Sequence, residues 1–236
     1  MSGNQDQLKI AAAESAAALV AGGMIVGLGS GSTAALAVSA IGRRVRQGLR
    51  IVGIPTSEAT AAQAKALGIP LTSLAEVSAI DMTIDGADEV EEASLNLIKG
   101  LGGALLREKI VATATRSFVI VVHDSKLVPR LGTHDPVPVE VVPFAWETTA
   151  RRLAALGATP VLRRDAAGAV FHTDGGHYIL DCRFPPIASA ESLARDLDHV
   201  VGVVEHGLFI GMTSEVHVAS PAGVRVLKRP AIPGSL

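Results

Sequence analysis

Four short segments hold the residues of this 236-residue chain that are most able to do chemistry. The first is GLGSGST, residues 27–33, which stands between a short apolar run and a helical pattern. Glycines let the backbone approach a ligand closely, and hydroxyls beside the free N–H groups of a helix start favour an anion. The segment lacks both the Gly-Lys-Ser/Thr of a P-loop and the third glycine of a dinucleotide fingerprint. The alternative is a strand-to-helix turn capped by Ser or Thr.

The second segment, DGADEVEE at residues 85–92, offers two carboxylates at the end of a predicted strand. Open α/β sheets bind ligands beyond the carboxyl ends of their strands, so Asp85 and Asp88 are candidates for one cavity. The spacing of the carboxylates does not fit an EF-hand calcium loop. The alternative is a charged surface turn, which is our interpretation of Glu91 and Glu92.

The third segment is IKGLGGALLREK, residues 98–109, in which a lysine and a glycine-rich turn precede a predicted helix. Lys99, just before the turn, can hold an anion or stabilise negative charge that develops on a substrate oxygen. Arg107, Glu108 and Lys109 follow on the helix. On spacing alone such a run is typical of a solvated helix face.

The fourth segment, HDSKLV at residues 123–128, places Lys126 after a strongly apolar strand pattern. Because parallel strands end at one edge of their sheet, the four segments bring hydroxyls, carboxylates and lysines to one rim. That mixture suits a phosphorylated polyol. The sequence has no recognisable Ser-His-Asp set, HExxH or CxxC motif, so metal and covalent catalysis have little support.

Alternating strand and helix patterns are predicted to position these segments. Helices are predicted at 5–20, 34–45, 57–67 and 103–114, and strands at 24–28, 50–54, 70–74, 80–84 and 118–122. Such alternation implies right-handed crossovers and a mostly parallel sheet with helices on both faces. The fold class is therefore α/β, with a Rossmann-like main domain.

The pattern changes near residue 132, where prolines become frequent. Beyond it we predict strands at 139–142, 159–164, 177–183 and 200–204, and helices at 148–156 and 190–197. This βαββαβ order is that of a ferredoxin-like unit. Later strands, at 207–212, 215–219 and 224–227, are predicted to return to the first sheet. We therefore predict an α/β catalytic domain over 1–131 and 207–236, interrupted by an inserted α+β domain at 132–206.

Composition disfavours several other classes of protein. A formal net charge of −2 argues against a general nucleic-acid or membrane-surface binder, and 3% aromatic residues argue against a base-stacking platform. The single cysteine, Cys182, excludes an internal disulfide and favours a reducing, cytoplasmic compartment. Residues 15–42 carry no charge, yet glycines and hydroxyl residues interrupt this stretch, so neither a membrane span nor a signal peptide is predicted.

Taken in order, the segments resemble the type A ribose-5-phosphate isomerases. The blocks that carry the resemblance cover nearly the whole chain: GLGSGST, TSEATAAQAKALGIPL, DMTIDGADEV, IKGLGGALLREK, HDSKLV, PVEVVPFAW and GVVEHGLF. The resemblance implies interconversion of D-ribose 5-phosphate and D-ribulose 5-phosphate in the pentose phosphate pathway, without a metal or organic cofactor. It also implies a homodimer or homotetramer, built with the help of residues 132–206, whereas the expectations of a cytoplasmic location and of no nucleic-acid or membrane binding come from the composition.

The resemblance further assigns roles to individual residues. The catalytic base falls on Glu108, which would shuttle a proton between neighbouring carbons through an enediolate. The natural donor to the developing oxyanion is Lys99, with Lys126 as a further candidate, and Lys9 corresponds to a phosphate contact. The substrate-binding residues carried over are Ser30, Gly31, Ser32, Thr33, Asp85, Gly86, Ala87, Asp88, Lys99, Gly100, Leu101, Gly102 and Lys126.

Some details stay open at this stage. The phosphate is expected at residues 30–33, while Asp85 and Asp88 would bind hydroxyls and pass protons between oxygens, including during opening of the furanose ring. Leu101 stands where the family usually has glycine, which matters only if the substrate packs on that side chain. Rival functions are another phosphosugar enzyme, such as an aminosugar-phosphate deaminase or a lactonase, and a non-catalytic sugar-phosphate sensor. The chain matches no motif of the deaminases or lactonases, and it enters its predicted core without the DNA-reading helix pair expected of a sensor.

Overall fold

The computed structural model describes residues 2–229 of the chain. Its helices are α1 (Ser2–Ala17), α2 (Gly31–Arg46), α3 (Glu58–Ala66), α4 (Leu105–Thr113), α5 (Trp146–Ala155) and α6 (Ala190–Asp198), with a 3₁₀ turn at Asp124–Lys126. Its strands are β1 (Ile25–Leu28), β2 (Val52–Pro55), β3 (Ile80–Asp85), β4 (Glu89–Glu91), β5 (Leu97–Ile98), β6 (Thr115–His123), β7 (Leu127–Val128), β8 (Val137–Val141), β9 (Thr159–Leu162), β10 (Tyr178–Arg183), β11 (Val203–His206), β12 (Leu208–Phe209), β13 (Glu215–Ser220) and β14 (Gly223–Lys228).

The main sheet has six strands in the order β14-β13-β6-β3-β1-β2. All neighbouring pairs are parallel except β13 and β14, which are antiparallel. Residues 118–122 of strand β6 are apolar without interruption because both faces of the strand are buried there. Successive side chains point to opposite faces, so Val119 and Val121 enter one core while Phe118 and Ile120 enter the other.

Both faces of the main sheet are covered, as the α/β prediction requires. Helices α1, α2 and α3 contribute to the core on one face. The opposite face packs against α4 and a small sheet of order β12-β5-β4-β7. The parallel sheet with helices on both faces is therefore confirmed.

The uncharged stretch at residues 15–42 becomes the end of α1, the buried strand β1 and most of α2. Helix α1 contacts α2 through fully buried alanines, among them Ala12, Ala13 and Ala16. These small side chains bring the two helices close together over the sheet. Among residues 2–229, no helix combines the length and the apolar character needed to span a bilayer.

A second, antiparallel sheet has the order β11-β8-β10-β9 and is joined by α5 and α6. Its βαββαβ sequence of elements is the predicted ferredoxin-like one. Val139, Leu153, Leu180 and Leu197 are fully buried in its core. All its strands lie within 132–206, although the division of the chain into two domains stays a prediction.

Three predicted strands differ from the structure. The 70–74 segment forms only a single bridge, between Leu71 and Gly53. The carbonyl of Pro70 accepts from the N–H of Gly53, but Pro70 has no N–H of its own with which to extend the pairing. The 200–204 strand begins only at Val203, after a turn that contains Gly202 with φ +97°. The 207–212 segment does not return to the main sheet, because its strand β12 pairs with β5. The small sheet was not predicted, since strands of two or three residues are too short for a visible alternation.

Candidate active site

A cavity of about 520 Å³ lies beyond the carboxyl ends of β1, β3 and β6. All the predicted site residues line it except Asp85 and Leu101, and Lys9 of α1 lines it as well. Five further residues of the wall were not predicted from the sequence: Gln5, His123, Ser125, His134 and Asp135. Only His123 and Ser125 had a signal, since both belong to the HDSKLV segment.

Residues 29–33 carry the chain from β1 into α2. Ser30 is the N-cap residue of α2, but its hydroxyl makes no cap bond and instead contacts the hydroxyls of Thr56 at 2.6 Å and Ser57 at 2.9 Å. The simple capping alternative therefore does not describe this serine. The first residues of α2 line the cavity, where the free N–H groups and positive end of the helix favour an anion.

Asp85 ends β3 and is completely buried beneath the cavity. Its Oδ1 accepts hydrogen bonds from the backbone N–H of Ser30 at 3.1 Å and of Gly86 at 2.8 Å. Gly29 makes this approach possible, because a Cβ there would overlap the carboxylate. Burial raises the pKa of Asp85, against the opposing charge of Lys99. The surface-turn alternative is thus excluded for Asp85.

Lys99 follows β5 and is buried with several partners. Its Nζ lies 3.0 Å from Asp85 Oδ2 and 3.3 Å from Glu108 Oε2, and it donates to the carbonyl of Gly86 at 2.7 Å. We call Asp85, Lys99 and Glu108 the buried cluster. Burial by itself would lower the pKa of Lys99, but the surrounding carboxylates raise it above its usual range. Lys99 therefore stays charged at neutral pH.

Glu108 lies in the first turn of α4 and points into the cavity. Its side chain is 6% exposed, whereas that of Arg107 is 40% exposed, so the solvated-face alternative describes Arg107 only. Burial, with a further contribution from the charge of Asp85, raises the pKa of Glu108 to about 8, although Lys99 opposes the shift. A carboxylate with a raised pKa is a stronger base, and this value lies near neutral pH.

Asp88 lines the cavity above the buried cluster and holds the turn at residues 100–103, which we call the glycine loop. Its Oδ2 accepts a hydrogen bond from the backbone N–H of Leu101 at 2.9 Å. Burial raises the pKa of Asp88, and the bond from Leu101 opposes that shift. The Leu101 side chain is absent from the cavity wall. In this turn Leu101 contributes its backbone N–H, which a glycine would also provide.

Lys126, in the 3₁₀ turn after β6, lies on a more open part of the wall. Its Nζ is 3.5 Å from Asp135 Oδ2, and both side chains remain partly exposed. Buried Glu89 holds the segment that brings Asp135 here, because its Oε1 accepts the N–H groups of His134 at 2.5 Å and Asp135 at 2.8 Å. No motif marks Asp135, which lies in the proline-rich crossover after β7.

A cluster outside this cavity has side chains of the metal-binding type. Ligand atoms of Asp198, Glu205 and His206 lie within 4.8 Å of one another. The Lys109 ammonium already donates to Glu205 Oε1 at 2.6 Å and to the His206 carbonyl at 2.6 Å. A lysine therefore supplies the positive charge at this place, and the cluster gives no reason to expect a metal centre.

Comparisons with known proteins show which family the chain resembles. The family model of ribose 5-phosphate isomerase A (phosphoriboisomerase A) matches residues 52–223. The chain is 60% identical to the ribose-5-phosphate isomerase A of Gloeobacter violaceus over 228 residues, which cover 97% of this chain and 99% of that protein. It is 57% identical to that of Gluconobacter oxydans over 217 residues, covering 92% of this chain and 94% of the relative.

Solved structures show the same similarity. The ribose 5-phosphate isomerase A of Methanocaldococcus jannaschii superimposes with a TM-score of 0.92 at 41% identity, covering 95% of this chain and 100% of that one. A D-ribose-5-phosphate isomerase in complex with phospho-erythronic acid gives a TM-score of 0.91 at 38% identity, with 94% and 98% covered. The fold and these relatives thus define an α/β enzyme of the isomerase class. The chain belongs to the ribose 5-phosphate isomerase A family.

Proposed function

We propose that the protein interconverts D-ribose 5-phosphate and D-ribulose 5-phosphate through an enediolate, as a step of the pentose phosphate pathway. The observation that carries the proposal is the buried cluster, in which Lys99 lies 3.0 Å from Asp85 and 3.3 Å from Glu108 at the wall of a cavity large enough for a sugar phosphate. The reaction needs a base strong enough to act on carbon, with a fixed positive charge beside it. The cluster combines both.

Glu108 is the proposed proton-shuttling base. It takes the proton from C2 of the open-chain aldose and returns it to C1, while a second proton passes from the C2 oxygen to the C1 oxygen, so that the C1 carbonyl becomes a hydroxyl and the C2 hydroxyl becomes a carbonyl. Its raised pKa, about 8, strengthens it as a base. Lys99 stabilises the negative charge that develops on the substrate oxygen, and this interaction is strong because the site is shielded from water.

The two aspartates receive different roles in this proposal. Asp88 lines the cavity, so it binds sugar hydroxyls and exchanges protons with their oxygens, including during opening of the furanose ring. Asp85 does not line the cavity and is bonded to Ser30, Gly86 and Lys99. We therefore assign Asp85 the positioning of the lysine and of the loop before α2.

The phosphate group is proposed to bind at residues 30–33, where the N-terminus of α2 lines the cavity. Lys9 and Lys126 line the same cavity and add positive charge that no buried carboxylate neutralises. Helix N-termini and lysine side chains are both suited to a phosphate dianion. The sugar would thus extend from this anion site toward Lys99 and Glu108.

The ligand of one relative supports the proposed placement of a sugar phosphate in the cavity. One solved D-ribose-5-phosphate isomerase is in complex with phospho-erythronic acid, a phosphorylated sugar acid. Its carboxylate shares with an enediolate a flat arrangement of two oxygens that carry negative charge. A ligand of this kind would place its phosphate near residues 30–33 and its carboxylate near Lys99 in the cavity described here.

The test is an assay of ribose 5-phosphate to ribulose 5-phosphate conversion, in the presence of EDTA, for the wild type, Glu108→Gln and Glu58→Gln. Glu58 is the matched control because it is an exposed carboxylate outside the cavity. We expect an active wild type, an unchanged control, and a loss of about 10²–10⁴-fold in kcat for Glu108→Gln.

Near-normal turnover by Glu108→Gln would overturn the base assignment, and an inactive wild type would overturn the function. Ammonia release from an aminosugar phosphate would favour a deaminase instead.

We also propose a cytoplasmic homodimer or homotetramer with residues 132–206 at an interface. Two exposed apolar side chains of that segment support this, since Phe144 is 88% exposed and Val201 is 75% exposed. The single free cysteine, Cys182, is compatible with a reducing compartment. Light scattering on the purified protein, with Phe144→Ser beside the wild type, tests the interface, and a monomeric wild type would contradict it.

A further inference from the structure

The glycine loop of the active site is held by a residue of the antiparallel sheet. Arg163, immediately after β9, donates through Nη1 to the carbonyl of Gly100 at 2.9 Å and to that of Leu101 at 3.0 Å. Its side chain is only 11% exposed. Arg163 is not among the residues predicted from the sequence to form the site, because nothing near it in the chain resembles a site.

The guanidinium of Arg163 is fixed on its other side. The carboxylate of Asp181, on the adjacent strand β10, accepts from Nε at 2.9 Å and from Nη2 through its second oxygen. A planar guanidinium that is held by both oxygens of a carboxylate has a fixed orientation, which a lysine ammonium group cannot reproduce. The carbonyls of the glycine loop are thus bound by a donor whose orientation is set by the second sheet.

Phe171 completes this contact at the other end of the loop. Its ring centre lies 5.8 Å from the guanidinium carbon of Arg163. The same ring lies against Gly103, where a Cβ would overlap it and where φ is +85°. Arg163 and Phe171 together hold the glycine loop from its first residue to its last.

The peptide group between Gly100 and Leu101 links this contact to the active site. Its carbonyl accepts from Arg163, and its N–H donates to Asp88 Oδ2 at 2.9 Å. In a trans peptide these two groups point in opposite directions. Arg163 and Asp88 therefore fix the same peptide plane from opposite sides, immediately after Lys99.

We propose that Arg163 is a positioning residue for the isomerase reaction, which orients Asp88 and Lys99 toward the sugar by fixing the peptide between Gly100 and Leu101. The inference rests on the proposed function, since that function places Asp88 and Lys99 at the substrate. It gives the antiparallel sheet a part in catalysis that is separate from any part in oligomer formation.

The test compares Arg163→Met and Arg163→Lys with Arg164→Met in the full-length protein. Arg164 is the matched control because it is the neighbouring arginine and its side chain bonds only to the carbonyl of Gly168 among the described residues. Values of kcat and KM are measured well below the unfolding temperature, which is determined for each variant. We expect Arg163→Met to lower kcat/KM by about tenfold to a hundredfold, Arg163→Lys to lose less, and the control to match the wild type.

The titration of Asp88 separates positioning from a purely structural role. The N–H of Leu101 lowers the pKa of Asp88, so a displaced peptide should raise that pKa in the Arg163 variants, which NMR titration of the Asp88 carboxyl group measures. Wild-type kinetics with only a lower unfolding temperature would overturn the inference. If Arg163→Met fails to fold, Arg163→Lys decides. An inactive wild type would overturn the proposed function and this inference together, whereas an active wild type with unaffected Arg163 variants would overturn this inference alone.

Discussion

Two lysines line the same cavity in opposite surroundings. The Lys99 side chain is 3% exposed and contacts two buried carboxylates, whereas that of Lys126 is 31% exposed and its carboxylate partner, Asp135, is 26% exposed. Charges interact more strongly where water is excluded, and burial also shifts the pKa of carboxylates upward. The strongly raised pKa values accordingly belong to the groups around Lys99.

The fold explains this difference. Lys99 follows β5, a strand of the small sheet that is covered by the main sheet, and its ammonium lies 5.5 Å from the centre of the Phe209 ring. Lys126 follows β6 in a 3₁₀ turn at the rim. On the proposed function, proton transfer would take place at the buried end of the cavity, and the open end would hold the phosphate. Replacement of Lys99 and replacement of Lys126 should therefore change different kinetic constants.

The largest effect is expected for Lys99→Met, which removes the charge beside the reacting oxygen. We expect kcat to fall by about 10²–10³-fold, with a much smaller change in KM, because the interaction strengthens as charge develops in the transition state. Steady-state kinetics in both directions check this. A variant that keeps its kcat and loses only affinity would remove the distinction between the two lysines.

Lys126→Met should show the opposite behaviour. We expect KM to rise by about tenfold with little change in kcat, because a contact to the phosphate is present equally in the substrate and the transition state. The rise should shrink at high salt, since Lys126 is partly exposed. Lys65→Met, on the exposed surface of α3, is the control and should match the wild type. A fall in kcat alone would place Lys126 at the reacting carbons instead.

Residues at the ends of long strands could be predicted from the sequence better than residues that follow short strands. Residues 29–33, Asp85 and Lys126 each lie at or just beyond the end of a recognisable strand, so their common location followed from the parallel sheet. The burial of Lys99 did not follow, because β5 is only Leu97–Ile98 and leaves no periodic pattern. The spacing of three residues between Asp85 and Asp88 likewise does not predict that Asp88 lines the cavity and that Asp85 lies beneath it.

Contacts between distant segments were not predictable. Arg163 and Asp181 meet because β9 and β10 pair in one register, which places Asp181 opposite Val161. Asp135 reaches Lys126 because Glu89 binds the backbone of the crossover. Such pairs depend on how the sheets and the crossover come together in three dimensions, and neither local propensity nor the spacing of motif residues records that.

A further prediction concerns stability rather than catalysis and follows from the same buried end. The pKa of Glu108 is about 8 in the folded protein, against an ordinary value of 4.5. Between these pH values the folded state holds a proton that the unfolded state has released, so the free energy of unfolding falls as the pH rises from 4.5 to 8. The raised pKa values of Asp85 and Asp88 act in the same direction.

Glu108→Gln removes this ionisation, so its stability should decline less over the same range. Urea unfolding of the wild type, Glu108→Gln and the control Glu58→Gln at about pH 5 and about pH 8 measures the difference. We expect the control to follow the wild type, because Glu58 is exposed. Equal pH dependence for the wild type and Glu108→Gln would mean that Glu108 ionises in the folded state as easily as in water. The contrast between the shielded Lys99, beside carboxylates with raised pKa values, and the more exposed Lys126 would then no longer account for the proposed division of the cavity.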